Sequence, residues 1–130
     1  MVVIDTSVVL AVLLNEPTRP AIIALTKRRQ VLVAPSLAWE VGNALVALVR
    51  RGRATAKDIT GAWSSFNKIP LRVAPCDVPL SLQLAVAHHL YAYDAYVIEA
   101  ARSARAPLMT LDARQREVAV ACGVTILEVA

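Results

Sequence analysis

Stretches rich in β-branched residues alternate along the chain with longer stretches whose apolar side chains recur every three or four positions. Val2–Ile4 and Val31–Val33 read as short strands, as do residues 71–73, 107–110 and 124–127. Residues 36–51 carry apolar side chains at 37, 41, 45 and 48, the stripe of an amphipathic helix, and Gly52 ends it. The same spacing predicts helices over 7–14, 19–29, 55–67, 79–90, 95–104 and Ala113–Ala121, with Pro17 and Pro20 parting the first two. Strands and helices alternate without hairpin signals, which predicts a parallel sheet covered on both faces. The expected fold is therefore α/β: a three-layer α/β/α arrangement around a central parallel sheet of about five strands.

Composition narrows this picture a little. A chain of 130 residues predicts one domain, spanning 1–130. Hydrophobic residues make up 57% and charged residues 18%, ample for a core and opposed to disorder. The apolar start is broken by Asp5 and no Lys or Arg precedes it, so it does not read as a secretory signal. The apolar run 8–14 is too short to span a bilayer. A cytoplasmic protein with no membrane partner is expected. Cys76 and Cys122 lie far apart without CxxC spacing, which predicts two buried thiols and no zinc or redox centre.

In an open parallel sheet, ligands bind beyond the carboxyl ends of the strands, where the strand order reverses. The acids at those ends are therefore the candidates. Asp5, in "VVIDTS", ends the first strand, and Asp112, in "LMTLDARQ", ends the fourth. Glu40, in "PSLAWEVGNAL", lies one to two turns into the helix after the second strand. Asp94, in "LYAYDAYVIEAA", stands at the start of the helix leading to the fourth. Taken singly, Asp5, Asp94 and Asp112 each have a plain explanation as a helix N-cap. Glu40 does not, because Leu37, Ala38, Trp39 and Val41 surround it where a solvated face would carry charge. The helical face through Asn43, Ala44 and Ala47 is small or polar and leaves room for a ligand beside Glu40. Glu16, Asp58, Asp77, Glu99, Glu117 and Glu128 read as surface or capping residues.

Carboxylates gathered without cations repel one another. Two unit charges about 4 Å apart cost roughly 4 kcal/mol at an effective dielectric near 20. Such a cluster holds a proton or a cation. With oxygen ligands only, the cation expected is Mg²⁺ or Mn²⁺, not Zn²⁺. The reaction class that follows is phosphodiester hydrolysis, with the acids as metal ligands and one as a candidate general base. The net charge of +4 leans weakly towards a polyanion. Setting the four acids aside leaves 14 basic against 6 acidic residues, an acidic pocket in a basic body. The basic clusters are 27–29 and Arg50, Arg51 and Arg53, with Arg102, Arg105, Arg114 and Arg116 towards the C-terminal end. No aromatic RNA-binding motif is present. Trp39, Trp63 and Phe66 are expected in the core or an interface, whereas Tyr91 and Tyr93, beside Asp94, stay open for stacking. His88 and His89 read as helix-end residues.

"VIDTS", "WEVGNAL", "YDAYVIEAA" and "LMTLD" resemble the four acidic motifs of the PIN-domain ribonucleases, in the same order and the same strand and helix contexts. The likeness runs from the first strand to "GVTIL", and the length is similar to that of the VapC toxins of toxin–antitoxin pairs. The resemblance implies a Mg²⁺- or Mn²⁺-dependent ribonuclease whose catalytic and metal-binding acids are Asp5, Glu40, Asp94 and Asp112. It implies Thr6, Ser7, Asn43 and Thr110 as supporting residues, and RNA as substrate. It also implies a homodimer and a small VapB-like antitoxin encoded in an adjacent gene. Arg50, Arg51, Arg53 and Arg114 are the expected contacts to RNA phosphate. The apolar side chains of 7–14 and 36–51 exceed what one small sheet can cover, so burial between subunits or under a partner is expected there. A phosphoacceptor receiver domain would need an acidic pair after the first strand and a late Lys, and neither is present. A phosphatase of the haloacid dehalogenase type would need Asp where Ser7 stands. The remaining alternative is a PIN-like RNA- or partner-binding module without cleavage, against which the intact acid set counts.

Overall fold

The computed structural model describes residues 1–129. Its strands, β1 (Val2–Ile4), β2 (Val31–Val33), β3 (Arg72–Val73) and β4 (Leu108–Met109), pair in parallel in the order β3-β2-β1-β4. The sheet thus has four strands, not about five. The segment 124–127 runs beside β4 through a single bridge between Leu108 and Ile126. There the Leu108 N–H donates to the Thr125 carbonyl at 2.8 Å, and the Leu127 N–H donates to the Leu108 carbonyl at 2.9 Å.

The pleat sends alternate side chains to opposite faces, and both faces are apolar. Val2, Ile4, Val33 and Met109 pack against α1 (Thr6–Leu13), α2 (Arg19–Thr26) and α3 (Leu37–Arg50), with α4 (Ala56–Phe66) at the margin through half-buried Ile59, Ala62 and Phe66. Val3, Leu32 and Leu108 pack against α5 (Val78–His88), α6 (Ala92–Ala104) and α7 (Ala113–Ala121). The three-layer α/β/α arrangement follows from these two cores. On α3 the predicted stripe is the one that faces inward: Leu37, Val41 and Leu45 are buried. Gly52 follows at φ 69°, a left-handed conformation that closes the helix without a Cβ penalty. The predicted helix over 19–29 stops at Thr26, leaving Lys27, Arg28 and Arg29 in the turn before β2.

β1 sits between β2 and β4. The chain steps outward from β1 to β2 to β3, then returns to the far side of β1 as β4. The strand order therefore reverses between β1 and β4, and the crevice favoured for ligands opens beyond their carboxyl ends. At that edge the two helical layers meet.

Some expectations are corrected. Glu99, expected at the surface, is 5% exposed and pairs with Arg102 at 3.4 Å. Cys76 and Cys122 are half-buried, not buried. Helix α1 buries Val8, Val9 and Ala11 but leaves Leu10, Val12 and Leu13 half-buried, and α3 exposes Trp39, Val46 and Val49, so both segments keep apolar surface uncovered. A further exposed apolar stripe, which the sequence did not single out, lies on α5, where Val78, Leu82 and Val86 recur at helical spacing. Among the described residues no helix is long and apolar enough to cross a membrane.

Candidate active site

Asp5 follows β1 directly and is 4% exposed. Its carboxylate caps α1 by accepting the Val8 N–H at 3.2 Å, so the N-cap reading is correct as far as it goes. It also accepts from the Ser7 hydroxyl at 2.5 Å and from the Thr110 hydroxyl, which comes from the end of β4. Those two hydroxyls have a second task. The Thr110 oxygen accepts the Asp112 N–H at 3.0 Å, and the Ser7 oxygen accepts the Leu111 N–H at 3.0 Å. The ends of β1 and β4 are laced together around one carboxylate.

Asp112 caps α7 by accepting the Gln115 N–H at 3.0 Å. The buried Gln115 amide donates to the Asp94 carbonyl at 3.3 Å and so ties α7 to α6. Asp94 lies in the first turn of α6, which starts at Ala92, three residues before the predicted start. Its carboxyl group is not the cap, since Tyr91 holds that position. Glu40 lies in the first turn of α3, half-buried, and accepts from the Ser36 hydroxyl at 3.3 Å. Ser36 and Gln115 are site residues that sequence reasoning missed. Ser36 was detectable, standing one turn before Glu40, whereas Gln115 carries no local signal.

Asp5, Glu40 and Asp94 feel both their burial and the charge of neighbouring carboxylates. Burial raises the pKa of Asp5, the hydrogen bonds from Ser7, Thr110 and Val8 oppose the rise, and the Asp112 charge adds to it. Burial raises Asp94 too, with the charges of Asp112 and Asp5 acting in the same direction. Glu40 is pushed up to about 7, chiefly by burial, against hydroxyls of Ser36 and Thr6 and with the charges of Asp94 and Asp5. The Thr6 hydroxyl lies near enough to favour the ionised Glu40, yet it is buried and makes no hydrogen bond of ordinary geometry.

Beside Glu40 opens a cavity of about 470 Å³ lined by Thr6, Trp39, Glu40, Asn43, Ala44 and Tyr93. Trp39, expected in the core or an interface, is not in the core: it is 74% exposed at this cavity. Arg50, Arg51 and Arg53 are exposed at the end of α3 and form no ion pair among the described residues. Arg114 differs from them. It donates to the His88 carbonyl at 2.8 Å and pairs with Glu117 at 3.4 Å, bridging α7 to the end of α5. It thus has a structural engagement that the sequence reading did not assign it.

The donor set suits a hard cation, being all oxygen. Among the described residues, however, no three His, Cys, Asp or Glu side chains are arranged to hold a metal ion by themselves. Asp5 and Asp112 are partly engaged as caps. A cage of protein ligands is therefore not what the site offers. It fits Mg²⁺ or Mn²⁺ in the way Mg²⁺ is commonly held, by one or two carboxylates with water and substrate phosphate completing the shell.

Two stability effects follow. A carboxyl group whose pKa is raised by folding binds its proton more tightly in the folded state. Its contribution is fullest below its ordinary value and declines as pH rises through the raised one. Asp5, Asp94 and Glu40 all shift this way, and Glu40 extends the window to about 7. The metal-free protein is therefore expected to melt a few degrees lower at pH 7.5 than at pH 5. Equal melting temperatures would show that burial and neighbouring charge do not raise these carboxyl groups in the folded protein. Thr110→Val keeps the side chain's shape but removes the hydroxyl that joins Asp5 to the Asp112 N–H. It is expected to cost about 1–3 kcal/mol in chemical denaturation, and an unchanged midpoint would deny the clasp its role.

The family model for the PIN domain matches residues 2–121. No curated protein sequence matches the chain. Solved structures share the fold, three of them as follows. PAE2754 from Pyrobaculum aerophilum is 22% identical, covers 90% of this chain and 84% of its own, and gives a TM-score of 0.66. FitAcB from Neisseria gonorrhoeae is 16% identical, with coverage of 98% and 97% and a TM-score of 0.69. VapC20 of Mycobacterium tuberculosis, described as a sarcin-ricin loop cleaving toxin, is 16% identical, with coverage of 98% and 99% and a TM-score of 0.65.

Proposed function

The chain belongs to the PIN domain family, and from that premise we propose that it is a divalent-metal-dependent ribonuclease acting as the toxin of a toxin–antitoxin pair. The observation that carries this reading is geometric: Thr110 ties Asp5 to the Asp112 N–H, Gln115 ties Asp94 to α7, and Glu40 opens α3 beside them, with the raised pKa values of Asp5, Glu40 and Asp94 in keeping with that grouping. The likeness in fold to VapC20 supports RNA as the substrate class.

In this reading one or two carboxylates of the set Asp5, Asp94, Asp112 and Glu40 would hold Mg²⁺ or Mn²⁺, with water and substrate phosphate completing the shell. When bound, the ion supplies Lewis-acid polarisation of the scissile phosphate and eases deprotonation of water. The side chains do the rest. Ser7 and Thr110 hold Asp5 in one orientation. Glu40, with its pKa near 7, is matched to taking a proton from the attacking water at neutral pH. Asn43 and Thr6 line the adjoining cavity; Asn43 offers polar contacts to the nucleotide, and the buried Thr6 hydroxyl favours the ionised Glu40. Arg50, Arg51 and Arg53 present unpaired positive charge to the RNA backbone, and Arg114 has guanidinium donors left for the same purpose.

Incubation of bulk RNA with the purified chain tests the proposal. Cleavage is expected with Mg²⁺ or Mn²⁺ and none with EDTA. RNA binding without cleavage under any metal would favour the alternative, a non-catalytic PIN-like module. The partners proposed are a second copy of the chain and a VapB-like antitoxin encoded alongside. The α5 stripe of Val78, Leu82 and Val86 supports self-association better than α1 does. Sedimentation at micromolar concentration is expected to give a dimer, and a clean monomer would count against it. Failure of the neighbouring gene product to bind or inhibit would remove the toxin reading and leave the nuclease reading intact.

A further inference from the structure

The cavity beside Glu40 has more than the carboxylate chemistry uses. Its wall combines Glu40 and Asn43 with two aromatic side chains from different helices, Trp39 of α3 and Tyr93 of α6. Both are exposed, 74% and 51%. A lone exposed aromatic is ordinary. Two that line one cavity, next to a site that would hold a phosphodiester, are not accounted for by packing.

Their settings differ in a useful way. The Tyr93 ring meets Tyr96 edge to face with centroids 6.0 Å apart, and Tyr96 packs on the core, so Tyr93 is braced. Trp39 sits one turn before Asn43 on α3, and Ala44 beside them leaves the space open. A volume of about 470 Å³ lies within the range of small-ligand pockets and accommodates a nucleoside. The amide of Asn43 supplies both a donor and an acceptor, as a base edge requires.

We infer that Trp39 and Tyr93 form a stacking subsite for an unpaired nucleobase adjoining the phosphate handled by the four acids, with Asn43 facing the base edge. This rests on the ribonuclease reading above and deepens it. The substrate it selects is a single-stranded or loop nucleotide, because a base held in a duplex has no free face to offer.

Trp39 is one of two tryptophans, so Trp63→Phe leaves it as the sole reporter of indole fluorescence. In EDTA, a single-stranded hexaribonucleotide is expected to quench its emission saturably, and the same sequence held in a duplex is not. Tyr93→Ala should weaken that binding by roughly tenfold or more. In the presence of Mg²⁺, Trp39→Ala should raise KM for single-stranded RNA by a similar factor with a smaller change in kcat, and Trp39→Phe should restore most of the loss. Flat emission overturns the subsite whatever the cleavage assay gives, as does equal quenching by the duplex. Loss of the dimer in Trp39→Ala with RNA binding unchanged overturns it too. Quenching by RNA from a protein that cleaves none would leave the subsite standing and sink the nuclease reading.

Discussion

Asp5→Asn is expected to abolish metal-dependent RNA cleavage while leaving the fold as stable as before. Loss of a group that merely orients a metal ligand costs about 10–100-fold, and Asp5 is itself the most buried of the four acids, so a larger loss is expected. The structural consequences are small by comparison. Asn is as good an N-cap as Asp, and its oxygen can still accept from Ser7 and from the Val8 N–H. The amide nitrogen would meet the Thr110 hydroxyl, which can accept in place of donating. Burial holds the Asp5 pKa above its ordinary value, so the neutral side chain removes a charge that the fold disfavours. Melting at pH 7.5 should therefore be equal or higher, with cleavage lost. Full metal-dependent activity in this variant would return Asp5 to a capping role alone.

Glu40→Gln separates activity from stability more sharply. Removing a general base typically costs on the order of 10²–10⁴ in rate, and that loss is expected here in kcat for RNA cleavage. The side chain's pKa of about 7 gives the test a second axis. Ionising Glu40 takes away stability as pH rises from its ordinary value towards 7. Gln imitates the protonated form throughout, so the variant should melt with less dependence on pH and gain most above 7. A Gln variant that cleaves at the wild-type rate would reassign the proton transfer to another group. One whose melting tracks pH as the wild type does would contradict the burial of Glu40.

What was legible in the sequence was what local pattern encodes. The 37, 41, 45 stripe places α3 and fixes which face it buries, and with it the position of Glu40. Asp5 directly after β1 and Asp112 shortly after β4 are visible as acids at strand ends, and it is their company, not either one alone, that lifts them above the capping role both also fill. The contacts that lock the site are different in kind. Thr110 and Asp5 are 105 residues apart, and the hydrogen bond between them has no signature in either neighbourhood. Gln115 reads as a helix-surface residue until α6 is laid against α7. Glu99 shows the converse error, since an acid on a polar-looking helix face is buried once that face meets the core. The segment 124–127 has the composition of a strand but makes one bridge, because β4 offers it only a short ladder. Propensity announces that a segment prefers to be extended. The neighbour's length decides whether a strand forms.

The position of β1 carries a consequence for biosynthesis. Of the four strands of this sheet, the first to be made is an inner one, and its β4 neighbour is the last. Until then Asp5 lacks Thr110, Asp112 and the cover that β4 gives it. No nascent chain that ends before Asp112 can assemble the four-acid cluster, however well α1, α2 and α3 have already packed. Closing so long a loop is also the slowest part of folding a sheet of this kind. The chemistry proposed here, directed at RNA, is thus withheld by topology from the growing chain on its own ribosome.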